Sequence, residues 1–283
     1  MKKYVMILML AVATVTTRAQ VQTPQPSTAS TVTNVVGLTE VKVEYSRPKA
    51  KGRKIYGEGE SFLVPFGKMW RTAANSGSRV TFSDDVNFAG TAVPKGTYQL
   101  ISTPGAIEWT VILSKDMTLG GSTEGYDKAN DIARATVKPE KLTERVELFT
   151  IEVTDIAENS KSANIQIVWE NTSVKVPITV DFDAKVMKSI ETSTKVNPNS
   201  LYSAAVYYLE NGKDMKQANE WATAAAAANP EAFWVLLTKA KIQKALGDKK
   251  GALESATASK ALAEKAKNVD YVKMNDELIK GLK

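Results

Sequence analysis

Apolar and polar residues alternate along the chain from residue 41 to residue 180. The alternation is clearest in the segments 41–45, 108–113, 164–169 and 174–180. A period of two places every second side chain on the same face, which is typical of strands with one buried face. Turn sequences, including Pro94-Lys95-Gly96 and Pro104-Gly105, separate these segments. The pattern predicts about eight short strands that form an antiparallel β-sandwich or a barrel over residues 40–183.

Two parts of this region carry a weaker signal. Pro177 interrupts an alternating segment. Because proline has no backbone N–H to donate, we expect its strand to lie at the edge of a sheet. Residues 120–139 show no clear period, and we expect a loop with one short helix there.

From residue 184 onward, the apolar period becomes that of a helix. Small residues repeat at a displacement of 34, so that Ala218 and Ala222 recur as Ala252 and Ala256. Gly212 and Gly247 stand where the first helix of each pair would end. Residues 199–265 resemble the tetratricopeptide repeat, a helix–turn–helix unit of about 34 residues. We therefore predict an all-α domain of helical hairpins over residues 184–283. The alternative is a plain helical bundle in which the spacing is accidental.

The N-terminal residues have the pattern of an export signal. Two lysines precede an uncharged, mostly apolar stretch from Tyr4 to Val15, and small residues follow up to Ala19. We expect residues 1–19 to be a cleaved signal peptide and the polar residues 20–39 to be a flexible leader. The mature protein would then be periplasmic or secreted, with no membrane span. The alternative is an N-terminal anchor that stays uncut.

The composition excludes several kinds of catalytic and metal-binding site, because the chain has no histidine and no cysteine. Catalytic triads and dyads that depend on these residues are excluded, as are the zinc, haem and iron–sulfur sites that they ligate. We predict no cofactor and no metal. The formal net charge is +6, and three of the positive charges lie in the predicted signal. The remaining charge is too small to indicate a nucleic-acid partner.

The candidate site lies between residues 44 and 104, where arginines stand beside aromatic residues. The blocks read S-R-P-K at residues 46–49, K-G-R-K-I-Y-G at 51–57, L-V-P-F-G-K-M-W-R-T-A-A-N at 63–75, and P-K-G-T-Y at 94–98. Arginine binds carboxylates and phosphates through a planar fork of donors, and it stacks on aromatic rings. The candidate ligand-binding residues are Arg47, Arg53, Trp70, Arg71 and Asn75. The alternative is that these arginines pair with acidic residues inside the fold while Trp70 fills the core.

These blocks resemble DUF2911, a family of exported bacterial proteins of unknown function found largely in Bacteroidetes. The resemblance covers residues 38–183 and implies a β-rich domain, which in many members is followed by helical repeats. One departure is visible at residues 73–76. The family pattern there is Gly-Ala-Asn-Glu, whereas this chain has Ala73-Ala74-Asn75-Ser76.

We therefore predict an exported, non-catalytic binding or scaffolding protein of the cell envelope. It would bind an anionic or sugar ligand at the arginine and aromatic residues, and a protein partner through the helical repeats. The alternative is a carboxylate-dependent glycan hydrolase that uses pairs such as Glu58 and Glu60, or Asp84 and Asp85. An S-x-x-K sequence begins at Ser46, but that catalytic motif needs the start of a helix, and here we predict a strand.

Overall fold

The computed structural model describes residues 23–194 and 199–282. The chain divides into two compact units, one ending at Asp181 and the other beginning at Phe182. The first unit is built from strands and the second from helices. The predicted α+β architecture with two parts is thus confirmed. The predicted signal peptide, residues 1–19, lies outside the described residues.

The first unit contains two antiparallel sheets. The larger sheet has six strands in the order β1-β2-β5-β8-β9-β10, and the smaller has four in the order β11-β12-β6-β7. The strands of the larger sheet are β1 (Thr28–Val36), β2 (Thr39–Arg47), β5 (Ser78–Phe82), β8 (Gly96–Thr103), β9 (Trp109–Ser114) and β10 (Asp131–Val137). Those of the smaller sheet are β6 (Val86–Phe88), β7 (Thr91–Val93), β11 (Pro139–Thr154) and β12 (Ser162–Val180). Two short strands, β3 (Tyr56–Gly57) and β4 (Val64–Pro65), form a separate parallel pair. Neither large sheet closes on itself, so the arrangement is a sandwich and not a barrel.

The core of this unit lies between the two sheets and is rich in aromatic rings. Tyr45 of β2 packs edge-on against Phe149 of β11, with 5.9 Å between the ring centres. The alternating apolar residues of the four predicted segments are all buried. Burial of these side chains is the main stabilising contribution to the sandwich, because each large apolar side chain contributes about 1.5–3 kcal/mol.

The structure corrects two expectations at the ends of the larger sheet. Residues 28–36 were expected to belong to a flexible leader, but they form β1, which pairs with β2 along its whole length. Thr and Val dominate this segment, and they favour an extended backbone even at a half-exposed edge. Residues 131–137 were expected to lie in a loop but form β10. Its inward side chains are Ala133 and Ala135, which are too small to give a visible hydrophobic period.

The expectation for Pro177 is wrong for the strand as a whole, because β12 lies between β11 and β6. The expectation is correct at Pro177 itself, because the pairing of β12 with β11 ends at Val174, opposite Pro139. On the side of β12 that faces β6, the Pro177 carbonyl accepts a hydrogen bond from the Ala89 N–H. The missing N–H of Pro177 therefore costs the sheet little.

The second unit contains six helices among the residues that the structure describes. They are α1 (Asp183–Ser193), α2 (Asn199–Glu210), α3 (Met215–Ala228), α4 (Phe233–Ala245), α5 (Lys249–Lys265) and α6 (Val269–Lys280). Asp214 and Asp248 cap the N-termini of α3 and α5, where their side chains accept backbone hydrogen bonds. Gly212 and Gly247 follow α2 and α4 with left-handed φ values of 60° and 80°. Within the described ranges, no helix has the length and apolar character needed to cross a bilayer.

The alanines that repeat at a displacement of 34 are all fully buried in this unit. Ala218 and Ala222 lie on α3, while Ala252 and Ala256 lie on α5. Small side chains allow neighbouring helices to approach closely, which explains why the same positions of both helices carry alanine. The resemblance to tetratricopeptide repeats is not confirmed by these contacts and stays a prediction.

Candidate functional site

A cavity of about 420 Å³ opens in the β unit beside the end of β2. Its lining combines four basic side chains with apolar and aromatic ones. The lining residues are Pro26, Ser27, Pro48, Lys49, Lys51, Arg53, Leu63, Trp70, Arg71, Ala73, Ala74 and Trp169. We refer to this cavity as the basic pocket.

One wall of the basic pocket is the segment that follows β2. The Phe149 N–H donates to the Pro48 carbonyl, and the Ala50 N–H donates to the Glu147 carbonyl, so this segment is fixed to β11. The chain then turns at Lys51 and Gly52, which have left-handed φ values of 50° and 71°. The turn directs the following residue, Arg53, back along the wall.

Arg53 is exposed, yet its guanidinium is held in place. Its Nε donates to the Ala50 carbonyl at 3.0 Å, and its Nη2 donates to the Lys49 carbonyl at 2.6 Å. These bonds use only part of the five donors of the group. The remaining donors are therefore presented in a fixed position for a ligand.

The aromatic wall of the pocket is a pair of stacked tryptophans. The rings of Trp70 and Trp169 lie 6.1 Å apart and 13° from parallel. Trp70 is fixed by two backbone hydrogen bonds with Ser102, at 2.7 and 2.9 Å. The indole N–H of Trp169 donates to the Glu147 carbonyl at 3.2 Å. Behind this pair lies Tyr56, and burial raises the pKa of its phenol well above the usual value.

Arg71 follows Trp70 directly and is half-buried. Its Nε is shielded from solvent and has no hydrogen-bond partner among the described residues. A buried donor without a partner loses about 1–3 kcal/mol relative to its hydrated state. This atom therefore marks a place where an acceptor is expected.

The structure brings three of the five predicted site residues, Arg53, Trp70 and Arg71, into the basic pocket. Arg47 does not line it. The Arg47 Nε donates to the Phe149 carbonyl at 3.1 Å, and its Nη2 donates to Thr150 Oγ1 at 2.6 Å. Arg47 thus joins β2 to β11 across the sandwich. The alternative of internal pinning applies to this arginine, although its partners are a carbonyl and a hydroxyl instead of an acid.

Asn75 also lies outside the lining and acts as a tie between segments. Its Nδ2 donates to Ser46 Oγ at 3.0 Å and to the Ser27 carbonyl at 3.4 Å. Ser46 itself lies in β2, as predicted, so no helix begins at the S-x-x-K sequence. Asn75 therefore holds the segment after Trp70 against β2 and against the residue that precedes β1.

Sequence reasoning missed several residues of the pocket. Lys49 ends the block before Arg53 and Lys51 begins the block that contains Arg53, so their closeness in the sequence could have indicated them. Trp169 comes about a hundred residues after Trp70. No local pattern connects these two tryptophans, because their contact depends on how β12 packs against the other sheet.

The charged side chains that line the basic pocket are all cationic, and the Glu147 carboxylate lies next to the lining, where it accepts a hydrogen bond from the Lys51 N–H at 2.7 Å. No carboxylate lines the pocket itself. Lys49, Lys51, Arg53 and Arg71 form no salt bridge within the part of the chain that the structure describes. Like charges gathered around one cavity repel one another, and an anion that enters relieves this repulsion. The arrangement therefore favours a negatively charged ligand.

The acidic pairs considered for glycan hydrolysis lie elsewhere. Glu58 and Glu60 are exposed on the segment between β3 and β4. Asp84 accepts hydrogen bonds from Thr39 and Ser83, and Asp85 accepts one from the Lys95 N–H. Among the described residues, no group of three or more acidic side chains is arranged to hold a metal ion.

Comparison with known proteins gives one family and no individual relative. No curated protein matches the chain, and no solved structure matches it. The model of the family described as "Protein of unknown function (DUF2911)" matches residues 27–178, which is more than half of the chain. This range begins one residue before β1 and includes the whole lining of the basic pocket except Pro26. The chain therefore belongs to the DUF2911 family, whose function is unknown.

Proposed function

We propose that the β unit is a binding domain for an anionic ligand that also carries a planar or apolar portion. The supporting observation is the lining of the basic pocket, where four cationic side chains surround a tryptophan wall and no carboxylate is present. Charge-assisted hydrogen bonds from arginine and lysine contribute about 1.5–3 kcal/mol each. The half-buried ring of Trp70 provides a surface for the uncharged part of the ligand.

A non-catalytic role fits this lining better than glycan hydrolysis does. Hydrolysis by paired carboxylates needs two carboxyl groups about 5–9 Å apart across the cleft. The basic pocket provides none, whereas its cations suit the binding of an anion. Export to the periplasm or the exterior is part of the same proposal and depends on the pattern of residues 1–19. N-terminal sequencing of the protein recovered outside the cytoplasm tests it, with Gln20 expected first.

The predicted protein partner of the helices also belongs to this proposal. A groove of about 480 Å³ lies between α1, α2 and α3. Met187, Ile190, Tyr208 and Trp221 contribute apolar surface to it. A partner helix or strand with an apolar face would pack there.

Ligand binding is tested by thermal unfolding and calorimetric titration with small anions. Benzoate, phenyl phosphate and phenyl sulfate are the anionic probes, and glucose is the neutral one. At a hundred times its Kd, a ligand stabilises the folded state by about 2.7 kcal/mol. We expect at least one anion to raise the melting temperature, with an effect that weakens as salt is added.

Matched variants separate the pocket from general surface charge. Arg53→Gln and Arg71→Gln remove cations from the lining, whereas Arg79→Gln removes an exposed cation from β5. We expect the first two variants to weaken anion binding and the third to leave it unchanged. Equal affinities in all three variants, or no binding of any anion by the unmodified protein, would refute the proposal.

A further inference from the structure

The backbone between Trp70 and Gly77 has an unusual set of free donors. The N–H groups of residues 71–76 donate no hydrogen bond within the part of the chain that the structure describes. The flanking groups do: the Trp70 N–H donates to Ser102, and the Gly77 N–H donates to Ala74. Thr72 and Ala73 are buried, with 0% and 3% of their surface exposed. Buried backbone N–H groups without a partner are rare in native proteins, so acceptors from outside the chain are expected here.

The backbone between Trp70 and Gly77 departs from regular secondary structure. The φ angles are positive at Thr72 (52°), Ala73 (104°) and Asn75 (54°), whereas Arg71 and Ala74 are not among the residues with positive φ. Successive backbone N–H groups in turn conformations of this kind are able to form an anion-binding nest. We call residues 71–76 the 71–76 loop.

Part of the 71–76 loop borders the same cavity as the cationic side chains. Ala73 and Ala74 line the basic pocket together with Arg71, Arg53 and the two lysines. The unpartnered Nε of Arg71 is therefore on the same cavity as the free backbone donors. Backbone and side-chain donors without partners thus border one cavity.

The loop is also held rigidly, which reduces the entropy lost on binding. Thr72 Oγ1 donates to Ser102 Oγ at 2.8 Å, and the Thr72 carbonyl accepts a hydrogen bond from Ser78 Oγ. The Ser76 carbonyl accepts one from Gln99 Nε2 at 3.3 Å. Asn75 fixes the outer side of the loop to β2 through Ser46.

We propose that the 71–76 loop is an oxyanion nest and that the anionic group of the ligand is a tetrahedral phosphate or sulfate ester. This inference rests on the proposed function. The backbone donors of Arg71, Ala73 and Ala74, which line the pocket, together with the Arg71 guanidinium exceed what the two oxygens of a carboxylate accept. The three terminal oxygens of a phosphate or sulfate group accept more hydrogen bonds. A phosphate monoester also carries a charge of about −1.5 to −2, which suits the four surrounding cations.

The first experiment compares anions of different shape on the full chain. Phenyl phosphate, phenyl sulfate and benzoate share one ring and differ in the anionic group. We expect at least one tetrahedral ester to bind about 10-fold or more tightly than benzoate, because it engages more charge-assisted donors. The ratio of the affinities for phenyl phosphate and phenyl sulfate indicates whether the site is built for a phosphate or for a sulfate group. Equal or tighter binding of benzoate would overturn this inference and leave the anion site itself intact.

The second experiment observes the backbone donors directly by amide NMR of the ¹⁵N-labelled chain. On adding the tighter ester, we expect the amide protons of residues 72–76 to move downfield. The amides of β10 serve as the reference, since that strand lies at the far edge of the larger sheet. Binding without any shift at residues 72–76 would refute the nest while supporting the basic pocket.

Two arginine variants test the part of Arg71 in the nest. Arg79 is exposed on β5 and lies outside the pocket lining. We expect Arg79→Gln to bind the ester as tightly as the unmodified chain does. Arg71→Gln is expected to lower the ester affinity by about 10-fold. An unchanged affinity for Arg71→Gln would remove this arginine from the nest. If no anion binds at all, the proposed function fails together with this inference.

Discussion

Gly77 offers a sharp test of how tightly the 71–76 loop is packed, because an added methyl group has no room there. The φ of Gly77 is 78°, and a Cβ would lie 2.3 Å from Gln99 Nε2 and 3.0 Å from the Arg71 carbonyl. Gln99 is fully buried and donates to the Ser76 carbonyl. Its amide therefore has no open space to move into without losing that hydrogen bond.

Gly59 provides a matched control with nearly the same backbone. Its φ is 81°, and a Cβ there would meet nothing within 4 Å. The left-handed conformation costs an alanine about 1–2 kcal/mol, and the reduced entropy of the unfolded chain returns about 0.4–1 kcal/mol. We expect Gly59→Ala to lower the free energy of unfolding by about 0–1.6 kcal/mol. The same two contributions apply to Gly77→Ala. This variant loses a further ~1–3 kcal/mol of unfolding free energy through the clash and about 1 kcal/mol through the lost hydrogen bond.

Denaturation with urea measures the difference, which should be roughly 2–4 kcal/mol. Both variants are made in a background in which Trp221 and Trp234, the tryptophans of the helical unit, are replaced by Phe. Fluorescence then reports only on the β unit. Equal losses for Gly77→Ala and Gly59→Ala would show that Gln99 moves freely, and the rigid packing inferred for the 71–76 loop would be wrong.

Two further predictions concern other parts of the molecule. Burial, with the hydrogen bond to Asp131 as the next cause, raises the pKa of Tyr126 to about 12. The stabilising contribution of this tyrosine is therefore present below pH 10 and is lost as the pH rises from about 10 to 12. The difference in tyrosinate absorbance between the unmodified chain and Tyr126→Phe should titrate near pH 12, and a midpoint near 10 would contradict this. In the helical unit, Asn275 is fully buried and donates to Ser259 Oγ at 2.9 Å and to the Tyr271 carbonyl at 2.8 Å. We expect Asn275→Ala to cost about 1–3 kcal/mol in urea denaturation followed by Trp234 fluorescence, and a loss below about 0.5 kcal/mol would argue against this network.

The candidate site was only partly predictable from the sequence. Arg47 and Arg71 stand in similar contexts, since each lies near an aromatic residue and a strand. The structure gives them different roles, because Arg47 is directed across the sandwich toward Thr150 whereas Arg71 faces the basic pocket. The residues next to each arginine in the sequence do not determine which of the two roles it takes. The contact of Arg47 with Phe149 spans 102 positions in the chain, and no local pattern encodes it.

The sequence by itself determined most of the extended and helical segments, because the period of apolar residues and the turn residues act on near neighbours. It missed β1 and β10, which have no such period. It also located the change of architecture near residue 184, within a few residues of the boundary at Phe182, and the helix ends before Gly212 and Gly247. Only the tertiary structure decided how the strands are ordered, including the inner position of β12 despite Pro177. It alone placed Trp169 against Trp70 and brought four cations around one cavity. These features depend on contacts between residues far apart in the chain, whose geometry is fixed only when the two sheets pack together.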